Sequence, residues 1–116
     1  MLDVQIFTLY PDLYPGLLDI GIYKKARENK KWSLKVIDIR DYAFDDNRTV
    51  DDTPFGGGSG MLLKPDVVAS ALDKNTKSSE KIIYLSPKGK RLDQNEVKKF
   101  SKLKKTKTFF VELNPF

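Results

Sequence analysis

Residues 81–85 read Lys-Ile-Ile-Tyr-Leu, with a polar connector (74–80) before them and Ser-Pro-Lys-Gly (86–89) after them. A short apolar run bounded by turn residues has the length and composition of a buried parallel strand, and a parallel strand needs a crossover connection on each side. The rest of the chain supplies those partners. Residues 2–9 form a β-branched and aromatic run, and residues 32–39 alternate Trp32, Leu34 and Val36 with Ser33 and Lys35 before closing on Ile37 and Ile39. Such a strand is buried more fully at its far end. Residues 106–111 give a last strand. Between these runs, Leu13, Leu17 and Leu18 space a short helix over 12–18, despite Pro15 and Gly16. A second helix covers 20–29, with Ile22, Tyr23 and Ala26 on its inner side, and a third starts at Pro65 and runs through Val67, Val68, Ala71 and Leu72. A fourth spans 94–103, with Asp93 and Glu96 spaced as a capping box. Strands alternating with helices predict an α/β fold whose mostly parallel sheet is flanked by helices, with ligands beyond the carboxyl ends of the strands.

The 116 residues bound this to a single α/β domain over 1–116 with a small core. Hydrophobic residues at 40% and charged residues at 32% fit a folded, soluble chain, and no apolar run is long enough for a membrane span or a signal sequence. The expected location is cytoplasmic. The chain contains no cysteine and no histidine, which removes thiolate chemistry, the commonest metal ligand and the usual general base near neutral pH. Residues 74–107 hold 12 basic against 3 acidic residues, an excess of +9, while the whole chain carries +5, leaving −4 elsewhere. A basic segment of that density is either a solvated face or a surface that attracts polyanions in a salt-dependent way.

Residues 40–60 show little regular pattern, and a loop of that length in a compact domain is usually functional or disordered. Gly56, Gly57, Gly58 and Gly60, four of the seven glycines, crowd into it after Asp51, Asp52 and a proline. Bare N–H groups on such a loop can hold an anion or the edge of a base. A triphosphate loop needs Lys followed by Ser or Thr after its second glycine, whereas Gly60 precedes Met61 and Leu62. A dinucleotide fingerprint fails too, because Tyr10-Pro11 follows the first strand. No metal site is expected from Asp51 and Asp52, since adjacent residues commonly face opposite sides of the chain. The turn after residue 85 suits an adenine or ribose better: Tyr84 and Leu85 offer apolar contact, Pro87 fixes the turn, and the backbone of 86–89 faces what lies beyond the strand.

Two segments together carry a resemblance. Residues 48–61 (Arg-Thr-Val-Asp-Asp-Thr-Pro-Phe-Gly-Gly-Gly-Ser-Gly-Met) and 83–94 (Ile-Tyr-Leu-Ser-Pro-Lys-Gly-Lys-Arg-Leu-Asp-Gln), with Phe7-Thr8-Leu9-Tyr10-Pro11 and Ile39-Arg40-Asp41, resemble the bacterial tRNA (guanine-N1)-methyltransferases of the SPOUT class. The resemblance implies a knotted α/β fold, a homodimer, S-adenosylmethionine as methyl donor, and as acceptor N1 of the guanosine 3′ of the tRNA anticodon. Tyr84, Leu85, Ser86, Pro87 and Gly89 would form one wall of the donor pocket. Arg48, Asp51, Asp52, Gly56, Gly57, Gly58 and Gly60 would lie on the tRNA side, near the target base, and the basic segment would add phosphate attraction.

Asn47 stands where the family usually has histidine and Phe55 where it usually has tyrosine. The likeness stops near residue 111. The family's knot-forming segment, its proposed aspartate base and its helical C-terminal domain have no counterpart in residues 112–116. The expectation is thus a truncated SPOUT domain, inactive as this chain, with no catalytic residue assignable within it. The competing reading is a non-catalytic basic module that binds tRNA or dimerises.

Overall fold

The computed structural model describes residues 2–47, 51–52, 62–77, 80–86, 88–102 and 107–111, with 51–52, 62–63 and 107–111 described as backbone only. The expected strands are present as β1 (Leu2–Thr8), β2 (Trp32–Asp38), β5 (Lys81–Leu85) and β6 (Lys107–Val111), and they form one sheet in the order β2-β1-β6-β5. Every pairing in it is parallel: β1 runs alongside β2 from Leu2↔Trp32 to Thr8↔Asp38, and β6 lies between β1 and β5. Parallel neighbours need crossovers, and these are helices α1 (Gly21–Glu28), α2 (Pro65–Asn75) and α3 (Gln94–Ser101). With right-handed crossovers, α1 and α3 fall on one face of the sheet and α2 on the other.

The core forms under α2. Phe7 and Ile37 are paired positions of adjacent strands, so they project to the same face. Val67 and Ala71, one helical turn apart on α2, pack against them together with Leu9 and Ile39. Phe7, Ile39 and Val67 are fully enclosed, each contributing about 1.5–3 kcal/mol by burial. Ile39 belongs to a 3-10 turn (Ile39–Tyr42) held at its start by the Asp38 carboxylate, which accepts a hydrogen bond from the Arg40 amide at 2.9 Å. Burial does concentrate at the far end of β2, as its sequence suggests. The core thereby fixes the carboxyl ends of β1 and β2, where the chain leaves the sheet.

Three local expectations are corrected. The helix read over 12–18 is two 3-10 turns, Pro11–Leu13 and Gly16–Asp19, because Pro15 between them lacks a donor and Gly16, which opens the second, takes a φ of +52°. In α1 the apolar side is largely uncovered: Ile22 is 75% and Tyr23 54% exposed, although the Trp32 indole donates to the Tyr23 carbonyl. Strand β5 is not buried either. It is the outermost strand of the sheet, paired with β6, and Ile82, Tyr84 and Leu85 are about half exposed. Its composition matches a doubly covered strand, but composition does not report how many neighbours a strand has.

Helix α1 ends in a Schellman motif. Lys31 N–H donates to the Ala26 carbonyl at 2.9 Å and Lys30 N–H to the Arg27 carbonyl at 3.0 Å, with Lys30 at φ +58°. A lysine thus occupies a left-handed position that glycine adopts at lower cost. Helix α3 starts as expected: the Asp93 carboxylate accepts from the Glu96 amide at 2.9 Å. The Glu96 side chain turns to Lys90 and Lys99, at 3.4 and 3.6 Å.

Candidate functional site

The exposed edge of β5, the turn that leaves it and the inner side of α3 enclose a groove of about 1160 Å³. Its position follows from the sheet order: β5 is an outer strand, and the groove runs along its full length, from Leu2 and Lys81 at the amino ends of β1 and β5 to the turn past Leu85, where α/β sheets commonly hold ligands. One wall is apolar, with Ile83, Leu85, Leu92, Val97 and Phe100 among its residues. Lys81 bends across α3, its ammonium 5.0 Å from the centre of the Phe100 ring. Lys90 and Arg91 add positive charge to the lining.

The turn is built on Ser86. Its hydroxyl accepts from the Lys88 amide at 3.2 Å and its carbonyl from the Gly89 amide at 3.0 Å, folding the chain back within four residues. A Cβ on residue 89 would lie 3.3 Å from that carbonyl oxygen, tighter than most real contacts, so the close approach selects glycine. The result is a short stretch of backbone at the mouth of an apolar groove. Tyr84 and Leu85 stand beside it, half exposed and able to cover a flat ring. Asp93 caps the Glu96 amide at the amino end of α3, and Lys81, Lys90 and Arg91 give the groove its positive charge.

Of the residues expected to hold a donor, Tyr84, Leu85, Ser86 and Gly89 line this one groove, while Pro87 lies outside the described residues. Lys81, Leu92, Val97 and Phe100 line it as well and escaped the sequence reading. The spacing of Val97 and Phe100 by three on a helix was their only signal. Glu96 is the one carboxylate in the described lining, and its ion pairs with Lys90 and Lys99 keep it from serving as an unengaged base.

Arg48, Gly56, Gly57, Gly58 and Gly60 lie outside the described residues. Asp51 and Asp52 form strand β3 (Asp51–Asp52), which pairs antiparallel with β4 (Leu62–Leu63) as Asp51↔Leu63 and Asp52↔Leu62. This two-residue ladder pairs the residues that flank 53–61 in the sequence. Among the described residues, no cluster of three metal-ligating side chains is found.

The fold is a parallel α/β sheet with a groove beside its outer strand, an architecture in which ligands commonly lie beyond the carboxyl ends of strands. Comparison with known proteins narrows this. The profile of the family described as tRNA (Guanine-1)-methyltransferase TrmD matches residues 2–111. The chain is 60% identical over 104 residues to the tRNA (guanine-N(1)-)-methyltransferase of Pelagibacter ubique, covering 90% of this chain and 46% of that protein. The Agrobacterium fabrum protein of the same name is 47% identical over 97 residues, covering 83% and 42%. Among solved structures, the tRNA (m1G37) methyltransferase from Aquifex aeolicus superposes with a TM-score of 0.77 at 31% identity, over 95% of this chain and 50% of that one. The chain therefore belongs to the tRNA (guanine-1)-methyltransferase family, and it spans about half the length of the curated relatives it matches.

Proposed function

We propose that this chain supplies the donor-binding wall and the acceptor loop of a tRNA methyltransferase, which moves a methyl group from S-adenosylmethionine to N1 of the guanosine 3′ of the anticodon. The observation that carries the reading is the convergence of Tyr84, Leu85, Ser86 and Gly89 on one largely apolar groove that runs along β5 and past its carboxyl end. An adenosine moiety fits this donor set: Tyr84 and Leu85 cover an apolar ring, and the close Ser86–Gly89 turn presents backbone polar groups without side-chain bulk. When bound, S-adenosylmethionine supplies an activated methyl group on a sulfonium. The chain's part is to hold the adenosyl end and exclude water from it, so that the methyl stands at a fixed distance from the acceptor nitrogen.

Arg48, Asp51, Asp52 and the glycines from Gly56 to Gly60 form the acceptor side in this reading. A guanine taken out of its stack needs polar edges and close backbone approach, and the sequence of this segment, carboxylates followed by a run of glycines, is chemically suited to both. The basic segment 74–107 attracts phosphates, so tRNA affinity falls steeply with salt. Abstraction of the N1 proton is assigned to no residue of this chain. The protein works as a homodimer in the cytoplasm. Among the described residues, no helix is long and apolar enough to cross a membrane.

The test is calorimetric titration of the folded chain with S-adenosylmethionine, alongside Tyr84→Ala. Saturable one-to-one binding, weakened by the substitution, is expected. If a demonstrably folded chain shows no heat of binding, the reading gives way to a non-catalytic basic module.

A further inference from the structure

Charge in this chain is sorted between the two ends of the sheet. Every strand pairing is parallel, so the amino ends of the four strands form one rim and the carboxyl ends the other, and α1 and α3 run back to finish at the amino rim. Contacts place both helix ends there. The Leu2 amide donates to the Lys31 carbonyl at 3.2 Å, just past α1, and the Lys81 ammonium lies 5.0 Å from the centre of the Phe100 ring in the last turn of α3. Leu2, Lys81 and Ser101 line the same groove, so the rim is continuous from the end of α1, through the starts of β1 and β5, to the end of α3. Residues 24–31 hold five bases against one acid and residues 98–107 six bases against none, together +10 in a chain of +5. The segments by which the chain leaves the carboxyl rim, 9–19, 39–54 and 86–93, hold five bases against eight acids. One end of the sheet is strongly positive and the other net negative.

Cations in the last turn of a helix are favoured by its dipole, which accounts for Lys25, Arg27, Lys98 and Lys99. It does not account for Lys30 and Lys31, which lie past the end of α1, or for Lys81, which opens a strand. These three and Lys102, the cap of α3, are exposed, and among the described residues none of the four has a carboxylate within ion-pair distance. Lys81 is also in register with Lys107 on β6, and like charges at paired positions cost stability. An anion laid along the rim offsets that cost. From strand spacing and rise, Lys31 and Lys81 stand about 17 Å apart, a span of several consecutive phosphates on a nucleic-acid strand. We infer that Lys30, Lys31, Lys81 and Lys102 form a second RNA contact, which holds backbone phosphates of the tRNA at the amino rim, about 15–25 Å along the strands from the loops that receive donor and base. This rests on the tRNA reading given above and names where that RNA is gripped. A net-negative acceptor end repels a phosphate backbone, so the grip falls at the opposite end. Phosphate contacts position a nucleic acid and base contacts specify it, so the rim sets affinity and orientation and leaves the choice of base to the site.

Fluorescence anisotropy of labelled tRNA with the full 116-residue chain, between about 50 and 200 mM salt, tests the inference. Wild type is compared with the triple variant Lys30→Gln, Lys31→Gln, Lys102→Gln and with a charge-matched control, Lys35→Gln, Lys64→Gln, Lys74→Gln, on β2 and α2. None of the six positions is buried, so both variants fold, as circular dichroism would verify. The expected plot of log affinity against log salt is shallower by about 2 in the rim variant, with affinity at least tenfold lower at about 100 mM salt. The control keeps the wild-type slope and stays within threefold. Equal losses in the two variants, or none in either, overturn the rim and leave the tRNA reading intact. Anionic phosphatidylserine vesicles bound through the rim, with tRNA binding indifferent to it, overturn RNA as the occupant. A folded wild-type chain that binds no tRNA at about 100 μM overturns both the rim and the tRNA reading. Donor binding is read separately by the calorimetric titration, since Lys30, Lys31 and Lys102 do not line the β5 groove.

Discussion

Replacing Ile39 tests whether the core under α2 holds the sheet as described. Ile39 is fully enclosed and packs with Phe7, Leu9, Ile37, Val67 and Ala71. Ile39→Val removes one carbon group, and at about 0.8 kcal/mol per buried CH₂ the expected loss is about 1 kcal/mol. Ile39→Ala removes three, about 2.4 kcal/mol in transfer alone. The cavity left between two strands and a helix cannot fully collapse, which brings the loss to about 3.5 kcal/mol. For a chain this size, with a urea slope of about 1.5 kcal/mol per molar, the unfolding midpoint should fall by about 2 M at unchanged slope. Phe44→Ala, at a 69% exposed aromatic, is the control and should stay within about 0.5 kcal/mol of wild type. An Ile39→Ala loss below about 1 kcal/mol at constant slope would refute the packing, because no transfer estimate for three enclosed carbons is that small.

Lys30→Gly should stabilise the chain by about 1 kcal/mol in the same urea assay, since the φ of +58° that closes the α1 Schellman motif costs lysine more than glycine. Asp93→Ala should lose about 1 kcal/mol with the α3 cap, and Asp93→Asn should recover most of it, because an amide oxygen can still accept from the Glu96 amide. Gly89→Val should weaken S-adenosylmethionine binding at least tenfold by calorimetry while shifting the thermal midpoint little. Its side chain crowds the Ser86 carbonyl at the mouth of the groove and leaves the buried core untouched.

The strands were readable because β-branched and apolar residues mark them whatever their neighbours are, and all four expected runs fall within a residue or two of the observed ones. Neighbour count was not readable. Lys81–Leu85 has the composition of a central strand yet lies at the edge of the sheet, since only the pairing of the whole chain decides which strand is outermost. Periodicity likewise identified the apolar side of α1 at Ile22, Tyr23 and Ala26, but it cannot say whether anything covers that side. The ladder between Asp51–Asp52 and Leu62–Leu63 left no trace because two-residue strands have no period to detect. At the groove, Ser86 and Gly89 stood out as turn residues after a strand. Val97 and Phe100 did not, because their contribution depends on how α3 folds back over β5.

The central claim is that the turn leaving β5 binds the adenosyl donor, and the most direct measurement is an amide chemical-shift map of the ¹⁵N-labelled chain titrated with S-adenosylmethionine. The account predicts saturable shifts confined to residues 84–91 and the facing side of α3 at Val97 and Phe100, with residues 13–23 unmoved. Saturating shifts that leave Tyr84, Leu85, Ser86 and Gly89 in place, or no shifts from a folded chain, would contradict it.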